Sequence, residues 1–247
     1  VKFENIEVEN IKNNTTSNTF FTFIPLQVGG VSKYNLEVNK CSAKELINLT
    51  TTAPPCTNTF VNIDATGVSD SVIVKIEDNE FINFKTPVDI TGEYNTLVTI
   101  KNNVFKQESL YNNVANQFYS NIYLNKSFSM LKIEGNTFYN CNIQIYLTVE
   151  VNNYFINSNT FNLNYLSSAM PFSQNLIDIF TDGYYARQFF VDKNSVTIDS
   201  GDAVLNTITT NLIATNLALE YSQINNNSVF VKNKTNREFG DWLSAVF

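Results

Sequence analysis

A short motif, apolar-x-apolar-x-x-Asn-x-apolar, recurs six times in this chain, the last copy with Ser222 at its first position. Two weaker copies precede these six, with Ile6 and Cys41 at the asparagine position. The eight equivalent positions are separated by 35, 38, 24, 33, 23, 35 and 33 residues. The smallest unit is therefore about 23 residues, and the longer units carry insertions. The asparagines of the six clear copies are Asn79, Asn103, Asn136, Asn159, Asn194 and Asn227.

Each copy of the motif predicts two short strands joined by a bend. Apolar residues alternate with a period of two on both sides of the asparagine, and the alternation breaks at the asparagine itself. The preceding residue is mostly a type that tolerates left-handed backbone or forms turn hydrogen bonds, such as Asp78, Asn102 or Gly135. If coils of this length stack about 4.8 Å apart, the asparagines form a row in which side-chain amides bond to each other and to turn backbones. The motif therefore predicts an all-β solenoid of about 7–8 coils with an asparagine ladder.

Composition favours this solenoid over other β and repeat folds. The chain contains 39 asparagines but only 8 glycines and 5 prolines among 247 residues, so asparagine takes positions that glycine would otherwise fill. An antiparallel sandwich would need frequent hairpin turns containing Gly or Pro. A helical repeat would need an apolar stripe with a period of 3.6 residues, and no segment carries one.

Composition also excludes several classes of function. Because the chain has 0 histidines, catalytic triads and metal sites that depend on imidazole are excluded. A net charge of −7 with only two arginines, Arg187 and Arg237, leaves no basic surface for nucleic acid. Apolar stretches such as residues 20–31 are interrupted before the roughly 18 residues that a membrane span requires, so no membrane span is expected.

With its asparagine at one tight turn, the repeat resembles the right-handed parallel β-helix of the pectin-lyase-like superfamily. The resemblance covers residues 1–232 and implies a single-stranded right-handed parallel β-helix. Residues 233–247 leave the repeat and are expected to form a C-terminal cap or linker. Because Val1 already lies in a copy of the motif, we interpret the chain as a segment of a longer solenoid. The superfamily includes polysaccharide lyases, glycoside hydrolases, phage tailspikes and adhesins, so the resemblance leaves the activity open.

Candidate catalytic residues are confined to one acidic stretch. A pectate-lyase-like activity would need clustered carboxylates that bind Ca²⁺ and a basic residue. Aspartates that follow strands are more often polar turn residues, and this is the interpretation we favour. No cofactor and no metal are therefore expected, except Ca²⁺ under the lyase alternative. The candidates are Asp178, Asp182, Arg187, Asp199 and Asp202.

Four insertions, at residues 9–34, 44–72, 108–128 and 163–186, are expected to be loops beside the scaffold. Two of them are aromatic, and burial of their rings against neighbouring strands is favoured over a sugar-stacking platform. The aromatic residues are Tyr111, Phe118, Tyr119 and Tyr123 in one insertion, and Tyr165, Phe172, Phe180, Tyr184 and Tyr185 in the other.

The cysteines and the glycosylation sequons do not establish the cellular compartment of the protein. Cys41 and Cys56 bracket a polar stretch and can form a disulfide with Cys141 unpaired, while separate buried thiols are the alternative. A chain this rich in Asn, Ser and Thr would contain about six or seven Asn-x-Ser/Thr sequons by chance, so their number alone does not indicate a glycoprotein. The sequons begin at Asn13, Asn14, Asn48, Asn125, Asn226 and Asn233.

The leading hypothesis is a non-enzymatic structural or adhesive β-helix segment at the extracellular, cell or virion surface, within a fibrous or filament-forming protein. Expected partners are a further copy of the chain, in end-to-end or lateral contact, or carbohydrate; nucleic acid is not expected. The alternatives are a polysaccharide lyase, hydrolase or tailspike-type depolymerase, and a glycan-binding module. The absence of a recognisable catalytic constellation favours the structural hypothesis.

Overall fold

A computed structural model describes residues 1–12, 18–26, 33–46, 58–108, 121–147, 151–164, 172–181, 185–199, 208–215 and 218–232. The regular elements among these residues are 23 β-strands. The first twelve are β1 (Lys2–Glu4), β2 (Glu7–Lys12), β3 (Thr19–Phe23), β4 (Lys33–Asn39), β5 (Ser42–Leu46), β6 (Thr59–Asp64), β7 (Ser71–Glu77), β8 (Glu80–Ile82), β9 (Thr86–Gly92), β10 (Thr96–Lys101), β11 (Val104–Lys106) and β12 (Asn121–Lys126). The others are β13 (Met130–Glu134), β14 (Thr137–Tyr139), β15 (Asn142–Leu147), β16 (Val151–Asn157), β17 (Thr160–Asn164), β18 (Phe172–Thr181), β19 (Tyr185–Asp192), β20 (Ser195–Asp199), β21 (Ile208–Thr215), β22 (Ala218–Asn225) and β23 (Ser228–Lys232).

Every third strand belongs to the same parallel sheet. Sheet A runs from β1 through β4 and so on to β22, sheet B from β2 to β23, and sheet C from β3 to β21, with 8, 8 and 7 strands. One coil therefore contributes one strand to each sheet, and the coils are numbered here from 1 (β1–β3) to 8 (β22 and β23). This confirms the predicted all-β parallel β-helix and its number of coils.

The asparagine ladder occupies the bend between sheets A and B. The Oδ1 of Asn136 accepts the backbone N–H of Asn103 at 2.9 Å and its side-chain Nδ2 at 3.0 Å. The Nδ2 of Asn136 donates to the Ile100 carbonyl at 2.9 Å and to the Oδ1 of Asn159 at 3.0 Å. The same pattern joins Asn79 to Asn103 and continues to Asn227. Each ladder asparagine thus bonds to the coil before it, which fixes the register of neighbouring coils.

Left-handed backbone occurs at the residue before each ladder position. Gly135 has φ 67° and tolerates it without strain. The other seven such residues carry side chains, and two of them are Lys40 and Lys193, at φ 52° and 56°. The prediction of a left-handed bend is confirmed, but residue type is a weaker guide to it than the ladder itself, since lysine is not a residue that favours this region.

The core is a column of side chains from all three sheets. Phe81, Phe105, Phe138 and Phe161, each two residues after a ladder asparagine, stack with ring centroids 5.5, 5.1 and 4.8 Å apart. All four are buried, and burial of each phenylalanine contributes about 1.5–3 kcal/mol. The apolar position after the asparagine therefore supplies both core volume and coil-to-coil contact.

A second row of amides and carbonyls lies between sheets B and C. Asn83 and Asn140 have left-handed backbone at φ 65° and 54°. Their Nδ2 groups donate to the carbonyls of Glu45 and Gln107, each at 3.2 Å. This row was not predicted, because its residue type varies from coil to coil.

The four insertions are not loops throughout, which corrects that expectation. They contain β3, β6, β12 and β18, all strands of sheet C. The expected cap or linker at residues 233–247 lies outside the described residues. None of the residues that the structure describes belongs to a helix long and apolar enough to cross a membrane.

Candidate functional site

The predicted catalytic residues that the structure describes lie on three different sheets. Asp178 is on β18 in sheet C, Arg187 on β19 in sheet A, and Asp199 at the end of β20 in sheet B. Asp182 and Asp202 lie outside the described residues. The described members are therefore not brought together, although Asp178 belongs to a polar row on its own sheet.

That polar row crosses five neighbouring strands on the outer face of sheet C. Consecutive members are paired in register from β6 to β18. Their side chains are partly or largely buried, and Asp178 is only 8% exposed. The row consists of Asn62, Asp89, Tyr123, Gln144 and Asp178.

A second row lies two residues further along the same strands. It consists of Asp64, Thr91, Asn125 and Tyr146, again paired in register. The Oδ1 of Asn125 is buried and accepts no hydrogen bond from the described residues. The two rows together give the outer face of sheet C carboxylate, amide and phenol groups over several coils.

Asp64 and Asp89 have opposite pKa shifts. Burial raises the pKa of the Asp89 carboxyl, and the Asp64 carboxylate adds to the rise. Hydrogen bonds from Thr66 lower the pKa of Asp64, and the charge of Lys126 adds to the lowering. The Nζ of Lys126 donates a hydrogen bond to the Oγ1 of Thr66 at 2.9 Å. The pKa values of these two neighbouring carboxyls are therefore shifted in opposite directions, an arrangement that acid–base chemistry uses.

Sheet geometry decides which carboxyls on this face can act together. Asp64 is offset from Asp89 by one strand and two residues, which places their Cα atoms about 8 Å apart. Asp178, whose pKa is also raised by burial, is three strands from Asp89, or about 14 Å. Carboxyl groups in inverting glycosidases are about 6.5–9.5 Å apart. The Cα spacing of Asp64 and Asp89 is compatible with such a separation of their carboxyls, and that of Asp89 and Asp178 is much larger.

Tyr123 lies directly beside Asp89 in the row. Burial raises the pKa of its phenol, and the nearby Asp89 contributes to the rise. Tyr123 was expected in a loop, and its position on β12 makes it part of the sheet face instead. A neutral phenol beside a carboxyl can donate a hydrogen bond to a bound hydroxyl or carboxylate group.

The polar row on sheet C was not predicted because the asparagine motif marks the strands of sheets A and B and not those of sheet C. A second sequence signal was present: one residue between two aliphatic residues recurs in several sheet C strands. It is seen in Val88-Asp89-Ile90, Ile122-Tyr123-Leu124, Ile143-Gln144-Ile145 and Ile177-Asp178-Ile179. The aliphatic residues of these triplets are buried in the core, which turns the central residue outward.

The thiols that the structure describes belong to the core. Cys41 is a free, buried thiol at the ladder position of coil 2, where its backbone N–H donates to Asn79 Oδ1 at 2.8 Å. Cys56, the partner expected for it, lies outside the described residues, and Cys141 is also a buried residue of the core, with its Sγ 3.1 Å from the Tyr139 carbonyl.

Two of the six sequon asparagines are described, and they differ in environment. Asn226 is exposed at a bend and donates to Asp192 Oδ1 at 2.9 Å. Asn125 is a partly buried strand residue. Asn13, Asn14, Asn48 and Asn233 lie outside the described residues.

Within the described ranges, no group of three or more acidic or cysteine side chains is arranged to hold a metal ion. Comparison with known proteins gives no match to a family model, to a curated protein or to a solved structure.

Proposed function

We propose that this chain is a non-enzymatic structural or adhesive segment of a fibrous or filament-forming protein. Its parallel β-helix supports membership of the pectin-lyase-like superfamily at the level of fold. The observation that carries the proposal is the continuous coil-to-coil bonding from Asn79 to Asn227. Eight coils joined in this way form a stiff rod roughly 34 Å long, which suits a spacer or a display scaffold.

The proposed location is the extracellular, cell or virion surface. The exposed sequon asparagine Asn226 supports glycosylation in a secretory host. The low charge, with 16% of residues charged, and the amide-rich outer surface support contact with carbohydrate or with further copies of the chain.

A second candidate function is sugar binding or cleavage on the outer face of sheet C. The opposed pKa shifts of Asp64 and Asp89 favour it, together with the phenol of Tyr123 beside them. In a hydrolase, Asp89 would donate a proton to the leaving oxygen while Asp64 activates water. In a binding module, the same groups would hydrogen-bond sugar hydroxyls.

One experiment separates the two functions. The purified chain is incubated with acidic and neutral polysaccharides, with and without Ca²⁺, while reducing ends and the absorbance of unsaturated products are followed. The structural proposal expects no turnover. Turnover that is lost in Asp89→Asn and retained in Asp178→Asn would overturn that proposal and locate catalysis at the Asp64–Asp89 pair. Binding without turnover, measured by calorimetry, would favour the glycan-binding module.

A further inference from the structure

The outer face of sheet A divides into a charged half and an uncharged half. Each sheet A strand has three outward positions nearest the ladder, and on coils 2–5 half of these positions are charged. Glu37–Lys75 and Glu134–Lys132 form ion pairs at 3.7 and 2.7 Å. On coils 6–8 the equivalent positions carry one charge, Asp192. The charged residues of coils 2–5 are Glu37, Lys75, Glu77, Lys101, Lys132 and Glu134.

The uncharged half carries a surface that we name the aromatic–amide patch, which comprises Asn153, Phe155, Gln188, Phe190, Tyr221 and Gln223. Phe155 and Phe190 are half-buried, and Tyr221 is 50% exposed. Neighbouring members are in register across β16, β19 and β22. The patch is therefore a flat, regular surface that spans three coils.

Ring orientation argues against a sugar platform at this patch. Phe155 and Phe190 are parallel within 1°, with centroids 5.2 Å apart, so each ring covers a face of the other. Tyr221 meets Phe190 in a T-shaped contact at 5.7 Å. Sugars stack on open ring faces, whereas these two rings cover each other's faces along the row and direct their edges outward. Ring edges and aliphatic carbon suit a flat protein surface.

Charge distribution points to a second copy of the chain as the occupant. When two identical surfaces meet face to face about a two-fold axis, each charge near the axis meets a like charge. The charged half of sheet A would then place lysine near lysine and glutamate near glutamate, which is unfavourable. On coils 6–8 the outward positions largely avoid this conflict, since Asp192 is the one charge among them. The exposed Arg187 precedes Gln188 on β19 and lies outside these positions. Asp192, at the edge of the uncharged half, is already engaged by Asn226 Nδ2 at 2.9 Å and Lys193 Nζ at 3.5 Å.

The amide side chains of the patch are also compatible with a second copy of the chain as the partner. Asn153, Gln188 and Gln223 each carry both a donor and an acceptor, so identical surfaces can satisfy one another. The Nε2 of Gln223 already donates to the Tyr221 hydroxyl at 2.7 Å, which holds both side chains in place. Flat parallel surfaces with stacked aromatics and amides also pack against one another in cross-β assemblies.

We propose that the aromatic–amide patch is a lateral contact between two copies of this chain. The contact deepens the structural role proposed above and rests on it. Three coils by about five residues of strand give roughly 200 Å² of flat area per copy. A stable complex buries about 800 Å² per partner, so the contact is weak and forms at high local concentration, as in a filament or at a crowded surface.

Sedimentation velocity tests the contact at protein concentrations rising to millimolar. The wild type is expected to sediment faster as concentration rises, and Phe190→Lys is expected to weaken association at least roughly 10-fold, because each dimer gains two like charges at its centre. Tyr94→Lys is the matched control. It also replaces an exposed aromatic ring by lysine, since Tyr94 is 65% exposed, but it lies in a turn away from the patch. Thermal midpoints measured on both variants establish that they fold.

A wild type that stays monomeric at every concentration would overturn the proposal and leave the patch to a different partner. Equal association of wild type and Phe190→Lys would also overturn it, by placing self-contact elsewhere. Tyr221→Lys gives a second measurement if Phe190→Lys does not fold. Polysaccharide turnover would contradict the structural role without changing sedimentation, so failures of the two proposals are distinguishable.

Discussion

Replacing Asn136 by alanine removes one rung of the ladder at a fully buried position. Its side chain makes four hydrogen bonds, at 2.9, 3.0, 2.9 and 3.0 Å. In the variant, the backbone N–H of Asn103 loses its acceptor and the Ile100 carbonyl loses a donor, both inside the rod. A buried polar group left unpaired costs about 1–3 kcal/mol, so the two together predict a loss of about 2–6 kcal/mol in the free energy of unfolding.

Asn227→Ala is the matched control at the half-exposed end of the ladder. Its side chain makes the same three contacts to the coil before it, accepting from Asn194 at 2.9 and 3.0 Å and donating to the Val191 carbonyl at 2.9 Å. Because water can replace these bonds, we expect a loss of about 1 kcal/mol. Urea unfolding followed by far-ultraviolet circular dichroism measures both, with equal m-values required for comparison. Equal losses in the two variants, or an unchanged midpoint for Asn136→Ala, would refute the ladder as a buried stabilising network.

Three further predictions concern single side chains. Tyr154→Phe is expected to stabilise the protein by about 1 kcal/mol in the same urea assay, because the Tyr154 hydroxyl is fully buried with no partner among the described residues; a loss of stability would contradict this. Gly135→Ala is expected to cost at least about 1 kcal/mol, since Gly135 has φ 67° and an added Cβ would lie 2.7 Å from Asn102 Oδ1; an unchanged thermal midpoint would contradict it. For Asp89, burial raises the pKa in the folded state above its unfolded value, so this carboxyl destabilises the fold as pH rises from about 4 towards neutral. Asp89→Asn should therefore raise the thermal midpoint at neutral pH, with a gain that disappears below about pH 4; a gain independent of pH would contradict the assignment.

The sequence predicted the ladder and sheets A and B because their positions repeat in residue type. A buried side chain that must bond to the coils on both sides admits few replacements. Cys41 is one of them, and its Sγ donates to the Phe3 carbonyl of the coil before it at 3.8 Å. Sheet C could not be found in the same way. Asp89, Tyr123 and Gln144 occupy equivalent outward positions but share no chemistry, because a solvent-facing position needs no common residue.

Of the candidate site, Asp178 was predicted as a candidate catalytic residue and Tyr123 as an aromatic residue of an insertion. Sequence proximity suggested that Arg187 and Asp199 lie near Asp178, but one coil takes the chain through three sheets, so residues ten or twenty apart face different directions. The relevant neighbours of Asp178 lie one coil away, such as Gln144 on β15. In a solenoid, residues that are one coil apart in sequence are neighbours in space. The insertions make the coil length irregular, so the sequence alone does not give these neighbours for sheet C.

The direction of the ladder bonds has a consequence for how such a chain lengthens in evolution. Each ladder asparagine reaches back to the coil before it, and every coil offers the same groups to the next: Val38, Ile76 and Ile100 supply equivalent carbonyls. Deletion of residues 79–102 would place Asn103 directly after Asp78, where its amide would meet the groups that Asn79 now bonds. Duplication or loss of whole coils therefore preserves every ladder bond, whereas a change of a few residues within a bend does not. Descendants of such a gene are expected to differ by entire coils and by the lengths of the segments between strands.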